Sequence, residues 1–181
     1  MSYLLSIEQL NSIREDILFY SSLNESYIAR QRKADSQEIT VFLSHKHSDR
    51  IILENVIGLL KGLGVNIYVD WNDLEMPSTT SGYTAMRIKE KIKECKKFIL
   101  LATEDAIASK WCNWELGFGD AHKCLNNIAI MPITNKRGSP FSGSEYLQIY
   151  PVIKSNYAYI LTECFVEYAG KQISLIDWLK Q

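Results

Sequence analysis

The sequence predicts an α/β fold in which a parallel sheet carries helices on both faces. Short runs rich in β-branched residues alternate along the chain with amphipathic segments, as in successive strand–helix units. Four of these runs are apolar at consecutive positions, which is typical of strands buried on both faces of a sheet. The chain has 181 residues, 46% of them hydrophobic. This size fits one globular domain that buries about 70% of its unfolded surface.

Residues 1–37 precede this pattern and are predicted to form a helical extension. Ser6 and Gln9 have the spacing of a capping box, and a second short helix is predicted at 24–32. A polar stretch at 30–38 then connects to the main fold. The apolar residues that follow Ser6 at helical spacing are Ile7, Leu10, Ile13 and Ile17.

Five strands and several helices are predicted from residue 39 onward. The strands are residues 39–43, 65–69, 97–102, 128–133 and a segment within 152–161. The first helix follows the first strand, with Ser48 as its N-cap and Gly62 or Gly64 near its end. Further helices are predicted at 86–95 and 109–124, and a closing helix at 173–180. Strands that alternate with helices in this way form a parallel sheet.

The third predicted helix, residues 109–124, contains the strongest local signal. With Ser109 as N-cap, Trp111 and Glu115 are four residues apart, so an aromatic ring and a carboxylate are expected on one face. The alternative is a Trp folded over an exposed helix beside a solvated Glu. Trp114 and Phe118 are expected in the core. Gly117 and Gly119 are expected to pack closely against the sheet.

Composition and charge restrict the partners. The chain has 20 Lys plus Arg and 21 Asp plus Glu, a formal charge of −1, so its overall charge predicts neither a nucleic-acid nor a membrane partner. No apolar run approaches the roughly 20 residues that span a bilayer, and no signal peptide is evident, which predicts a cytoplasmic protein. The four cysteines form no C-x-x-C pair. Free, buried or half-buried thiols and no metal site are therefore predicted.

Ligands are expected at the carboxyl ends of the strands, where open parallel sheets bind them. Residues 44–49 (Ser-His-Lys-His-Ser-Asp) follow the first strand and lead into a helix whose backbone N–H groups could hold an anion. An ordinary capped turn is the alternative. The connector 71–82 exceeds the usual 2 to 6 residues or so of a βα loop, which predicts a lid or a partner surface. Trp71 would either stack on a ligand or cover the sheet edge.

Three segments together resemble the Toll/interleukin-1 receptor (TIR) domain family, particularly its stand-alone bacterial members. Residues 41–45 (Val-Phe-Leu-Ser-His) match the first-strand motif, and residues 69–77 (Val-Asp-Trp-Asn-Asp-Leu-Glu-Met-Pro) match the second strand end and BB loop. Trp111 and Glu115 fit the W-x-x-x-E pattern of enzymatically active members. The resemblance covers residues 38–165 and leaves 1–37 as an extension and 166–181 as a closing helix. It implies a flavodoxin-like, three-layer fold with a five-stranded parallel sheet of order 2-1-3-4-5.

The resemblance also implies an activity, because active members cleave NAD⁺ at the nicotinamide–ribose bond. Glu115 falls on the catalytic glutamate, and Asn72 falls on a binding position that is acidic in some relatives. Trp71 and Trp111 would stack on flat rings such as the cationic nicotinamide. NAD⁺ is then the substrate, and no cofactor or metal is implied. The nucleotide-contacting loop is matched by Ser44, His45 and Lys46.

One carboxylate is sufficient for this chemistry. Glycoside hydrolysis needs two carboxyl groups because an alkoxide leaving group must be protonated, whereas nicotinamide leaves as a neutral base. An ionised Glu115 would stabilise the oxocarbenium-like centre, and its place in the second turn of a helix favours ionisation. Water, or an adenine or ribose group, would then attack, which leaves hydrolysis and cyclisation both open.

Three functions are compatible with these features. The first is an NAD⁺ glycohydrolase or cyclase in bacterial anti-phage or stress defence, acting as a homo-oligomer through TIR–TIR contacts and paired with an effector protein. The second is a non-enzymatic TIR interaction module, against which the intact W-x-x-x-E argues. The third is a related nucleoside-processing enzyme, such as a deoxyribosyltransferase, which would act on nucleosides instead of dinucleotides.

Overall fold

The computed structural model describes residues 3–12, 39–70, 81–141, 143–156 and 164–181. Several predicted features lie outside these residues. They are Ile13 and Ile17 of the first helix, the helix at 24–32, the polar stretch at 30–38, Trp71, Asn72 and the rest of the connector up to residue 80.

Eight strands and six helices are present in the described ranges. The strands are β1 (Leu5–Ser6), β2 (Thr40–Ser44), β3 (Asn66–Tyr68), β4 (Lys97–Ala102), β5 (Ile128–Thr134), β6 (Val152–Ser155), β7 (Cys164–Tyr168) and β8 (Lys171–Ser174). The helices are α1 (residues 7–12), α2 (Arg50–Gly62), α3 (Gly82–Glu94), α4 (Glu104–Ala108), α5 (Lys110–His122) and α6 (Leu175–Lys180). Short 3₁₀ turns occupy His47–Asp49, Leu125–Asn127 and Glu145–Ile149.

The strands form one mostly parallel sheet of order β3-β2-β4-β5-β6-β7-β8, with β1 paired to β5. The five predicted strands are β2 to β6, all parallel to their neighbours within this set. In chain order they lie 2-1-3-4-5, which confirms that part of the prediction. The sheet is nevertheless larger than the five predicted strands, because β7 and β8 add antiparallel to β6 and β1 adds parallel to β5.

Helices cover both faces of the sheet and make three layers. On one face α2 and α6 pack through a cluster of leucines, valines and Trp178. On the other face α3 and α5 pack against Phe42 and Phe98. Every residue of β4 and β5 is buried, as their apolar runs predict, whereas β3 is an edge strand and is partly exposed. The prediction that 65–69 is buried on both faces is therefore wrong for Asn66–Tyr68 and holds only at Val65 and Val69.

Residues 3–12, the described part of the N-terminal extension, contain both strand and helix. Residues 7–12 are helical, and the Ser6 N–H donates to Gln9 Oε1 at 3.0 Å while the Gln9 N–H donates to Ser6 Oγ at 3.3 Å, which confirms the capping box. Leu5 and Ser6 instead pair with Ile133 and Thr134. Helix at these two positions is a wrong prediction, because the carboxyl end of β5 extends beyond its pairing with β4 and β6 and provides backbone partners that the local sequence does not show.

Other local predictions also need correction. The closing helix begins at Leu175, because 164–174 forms a hairpin that turns at Ala169 and Gly170, both with positive φ. The Ser48 side chain donates to Asp105 Oδ2 at 2.9 Å and does not cap α2, which starts at Arg50. Cys124 is exposed, unlike the three buried cysteines. Within the described ranges, no helix is long and apolar enough to cross a membrane.

Candidate active site

The position of Glu115 follows from how α5 begins and how closely it packs. Ser109 caps the helix, with its Oγ accepting from the Cys112 N–H at 3.4 Å, as predicted. A Cβ added at Gly119 would lie 3.2 Å from the Phe98 ring, so glycine lets α5 approach the sheet. No atom lies near a Cβ added at Gly117, so the same prediction is wrong there. Close packing places Glu115 against the end of β2, where its side chain is only 7% exposed.

Ser44, the last residue of β2, holds the Glu115 carboxyl. The Ser44 hydroxyl donates to Glu115 Oε2 at 2.5 Å, and Ser44 is 1% exposed. Cys112, one turn before Glu115, donates its Sγ–H to the His45 carbonyl at 3.3 Å. Two contacts therefore join the first helical turns of α5 to the loop after β2.

Burial controls the charge of Glu115. Loss of hydration raises the pKa of Glu115 from 4.5 to about 8; the Ser44 hydrogen bond opposes this rise and the negative charge of Asp70 adds to it. Such a rise corresponds to about 5 kcal/mol, whereas a helix N-terminus contributes roughly 0.3 to 1 kcal/mol. The expectation that helix position favours ionisation is therefore overridden. At neutral pH the Glu115 carboxyl is mostly protonated.

Asp70 lies between two histidines at the carboxyl end of β3. His45 Nε2 is 3.5 Å from Asp70 Oδ1, and His47 Nε2 is 3.5 Å from Asp70 Oδ2. The His45 Nδ1–H donates to the Leu43 carbonyl at 3.0 Å. Burial lowers the pKa of His45, although the Leu43 carbonyl and Asp70 oppose that shift. The carboxylate of Asp70 thus adds negative potential close to Glu115.

The predicted binding residues differ in their surroundings and in their exposure to solvent. Ser44 is in the site, whereas His45 directs both ring nitrogens into the protein, towards Leu43 and Asp70. Lys46 is exposed beside them. Trp111 is 38% exposed and packs edge-on to Trp114, with ring centroids 5.2 Å apart. Substrate contacts by these residues, and by Trp71 and Asn72, remain predictions.

The helix aromatics expected in the core, Trp114 and Phe118, pack against the core from between α3 and α5 and are only partly buried. Trp114 and Phe118 are partly buried on α5, and their rings stack with centroids 6.1 Å apart. Lys89 of α3 reaches over both rings, at 5.8 Å and 5.0 Å from their centroids. These side chains therefore fix α5 against α3 and, through α5, the position of Glu115.

Sequence reasoning missed Asp70 as a site residue. It is the residue at which the second strand passes into the long connector, and that position at the carboxyl edge of the sheet was the available signal. Cys112 was also missed, because a single buried thiol carries no local pattern. Among the described residues, no group of three His, Cys, Asp or Glu is placed to hold a metal ion.

Comparisons with known proteins agree with this architecture. The sequence profile of the TIR domain matches residues 41–155. The chain is 29% identical over 181 aligned residues to "Probable 3' cyclic ADP-D-ribose synthase ThsB'" of Bacillus cereus (strain MSX-D12), which covers 90% of this chain and 93% of that protein. It is 28% identical over 93 residues to "Putative cyclic ADP-D-ribose synthase TIR2" of Cytobacillus dafuensis. That match covers 48% of this chain and 24% of the relative.

Proposed function

This chain belongs to the TIR-domain family, and we propose that it is an enzyme that cleaves the nicotinamide–ribose bond of NAD⁺. The observation that carries the proposal is the buried carboxyl of Glu115, held by Ser44 at the carboxyl end of the sheet. The printed names of the two relatives, both cyclic ADP-D-ribose synthases, support the same reaction class.

Glu115 acts on the ribosyl carbon from which nicotinamide departs. The bond between this carbon and the pyridinium nitrogen breaks, its electron pair stays on nitrogen, and nicotinamide leaves neutral. Positive charge develops on the ribose, where a carboxylate in a buried site stabilises it strongly. The bound cationic pyridinium lowers the pKa of Glu115, because an opposite charge nearby favours the ionised carboxyl. Substrate binding therefore creates the anion that the reaction needs.

The product depends on which nucleophile reaches the ribosyl carbon. Attack by water gives ADP-ribose, and attack by a hydroxyl or nitrogen of the same molecule gives a cyclic isomer lighter by one water. An attacking water or hydroxyl loses one proton to the solvent as its new bond to the ribosyl carbon forms. We favour the cyclic isomer, since both relatives are named for that product. Mass spectrometry of the reaction mixture separates the two products.

The direct test is incubation of the purified chain with NAD⁺ and chromatographic measurement of nicotinamide. The expected result is nicotinamide released in equal amount to NAD⁺ consumed. Absence of release from folded protein, at concentrations high enough for self-association, would favour the non-enzymatic interaction module. Release from nicotinamide riboside but not from NAD⁺ would instead indicate a nucleoside-processing enzyme.

Self-association is predicted to raise specific activity. Large apolar side chains are exposed on the α3–α5 side of the molecule, including Tyr83 at 53%, Met86 at 57% and Trp111 at 38%. A second copy that covers this surface could exclude water from the neighbouring site. Nicotinamide release per protein molecule should therefore increase with protein concentration, measured alongside light scattering.

A pair of variants on α3 provides the control for self-association. Met86→Lys should remove the concentration dependence, whereas Glu90→Gln, on the same helix and 58% exposed, should keep it. Rates strictly proportional to concentration, from a protein that stays monomeric throughout, would contradict the homo-oligomer.

Trp111 is predicted to contribute to substrate binding more than to stability. Because its ring is 38% exposed, Trp111→Phe should change the melting temperature little. Weaker stacking on cationic nicotinamide, worth about 0.5 to 1 kcal/mol, should raise KM roughly twofold to fivefold. Steady-state kinetics and thermal melts of both proteins decide this. Unchanged kinetics with a lower melting temperature would make Trp111 a packing residue only.

We place this activity in the bacterial cytoplasm, in anti-phage or stress defence, with a downstream effector that binds the product. Depletion of NAD⁺ or release of a cyclic nucleotide could both limit an infected cell. Expression of the chain and its Glu115→Gln variant during phage challenge tests the role. Equal protection by both proteins would contradict it.

A further inference from the structure

A depression opens at the carboxyl edge of the sheet, between the ends of β4 and β5. It is a cleft of about 390 Å³, within the size range of pockets for small ligands. Ile7 of α1, Ile52 of α2 and Ile133 of β5 give it an apolar wall. Ser44 and Glu115 do not line it. The cleft is therefore a separate feature from the candidate active site.

A buried carboxyl forms the polar part of this cleft. Asp49 is 9% exposed, and the Thr103 hydroxyl donates to its Oδ2 at 2.5 Å. Thr103 Oγ1 in turn accepts from the Ala106 N–H at 3.0 Å, which fixes the direction of the hydroxyl. Burial raises the pKa of Asp49, and the nearby charge of Asp105 adds to the rise. The Asp49 carboxyl is therefore held in one position in the wall of the cleft.

The chemistry of the lining selects the kind of ligand. Asp49, Glu104 and Asp105 line the cleft together with hydroxyl and amide side chains, and none of the described residues that line it is Lys or Arg. An anion is therefore disfavoured in the cleft itself. Carboxylates bind ribose hydroxyls in other α/β proteins, and the isoleucine wall suits a flat, uncharged base. A nucleoside has both features.

One short segment, residues 44–49, joins the cleft to Ser44, which contacts Glu115. Ser44 is paired in register with Leu100, and Thr103 lies three residues farther along towards the carboxyl edge. At about 3.3 Å per residue this separates Ser44 and the cleft by roughly 10 Å. Ser44 and Asp49 are the two ends of segment 44–49, and Lys46 is exposed between them. Two ribosides joined by a diphosphate are long enough to reach both places.

We propose that this cleft binds the adenosine half of NAD⁺, with the adenosine ribose hydroxyls on Asp49 and the diphosphate near Lys46. The nicotinamide riboside half then lies at Glu115. This assignment rests on the proposed function, because it takes NAD⁺ as the substrate. It makes Asp49 a residue that binds substrate far from the bond that breaks.

A truncated substrate tests the assignment. Nicotinamide mononucleotide has the scissile bond but lacks adenosine. Asp49→Asn keeps an oxygen that accepts from Thr103 and removes the negative charge, so the fold should be retained. Loss of a charged hydrogen bond should lower kcat/KM for NAD⁺ about tenfold or more, with less than about a twofold change for the mononucleotide. Glu54→Gln, on α2 and in an exposed pair with Arg50, is the matched control and should change neither value.

Direct binding keeps the test independent of turnover. Calorimetry with adenosine should detect binding to the parent and at least about tenfold weaker binding to Asp49→Asn. Ser139→Trp, which fills the cleft from its rim, should weaken adenosine binding in the same way if Asp49→Asn does not fold. Equal losses with NAD⁺ and the mononucleotide, or adenosine binding unaffected by both variants, would overturn the assignment. If the parent releases no nicotinamide, the proposed function fails, and adenosine binding alone still decides whether the cleft is a nucleoside site.

Discussion

Glu115→Gln is expected to lower nicotinamide release from NAD⁺ by at least roughly 10²- to 10³-fold. Glutamine has nearly the same volume and keeps an oxygen that accepts from the Ser44 hydroxyl, which is 2.5 Å from the carboxyl in the parent. It cannot become an anion when the ribosyl carbon becomes positive. The loss should therefore appear in kcat, with little change in the structure.

The measurement compares initial rates of the parent, Glu115→Gln and a charge-matched control. Glu90→Gln removes one carboxylate from α3, where Glu90 is 58% exposed and paired with Arg87. The control should retain the parental rate. A folded Glu115→Gln variant that releases nicotinamide at a near-normal rate would show that Glu115 does not carry the reaction.

The central sheet was predictable because its signal is local. β4 is apolar at residues 98–102 and β5 at residues 128–133, and the structure buries every residue of both strands. Their alternation with amphipathic helices determines a parallel sheet, and the order 2-1-3-4-5 came from the family resemblance. The capping box at Ser6 and the N-cap at Ser109 were also predictable, because each depends on residues three positions apart.

The edges of the sheet were not predictable in the same way. β1 has two residues, and it is a strand only because Ile133 and Thr134 offer backbone partners. The β7–β8 hairpin depends on pairing with β6 and on a turn in which Ala169, a residue rarely found at positive φ, has a φ of 48°. Tertiary pairing decides such segments, and local propensity has little influence on them.

The candidate site was likewise predictable only in part. Glu115 was identified from a motif, and the structure places it beside Ser44, a residue that the motif of β2 had identified separately. Its surroundings could not be read from the sequence, since Asp70 is 45 positions away along the chain. Burial at 7% exposure and the charge of Asp70 determine its pKa. The residue type was therefore predictable, and its protonation state was not.

The raised pKa of Glu115 leads to a strong expected pH dependence of stability. Its value is about 8 in the folded protein and 4.5 for an ordinary carboxyl. The folded state therefore holds the proton more tightly than the unfolded state does. This contribution to stability is fully present below about pH 4.5, declines as the pH rises, and is lost above about pH 8. The full difference is at most about 5 kcal/mol.

Glu115→Gln removes this dependence, because an amide does not titrate in the range. The parent and the variant should melt at similar temperatures near about pH 4.5. At about pH 9 the variant should melt higher by roughly 10 °C, since about 1 kcal/mol shifts a domain of this size by roughly 2 to 4 °C. Glu90→Gln, in which an exposed carboxylate is lost, should have the melting temperature of the parent at every pH in this range. A parent–variant difference that stays constant with pH would mean that Glu115 ionises normally and that burial does not hold its carboxyl protonated.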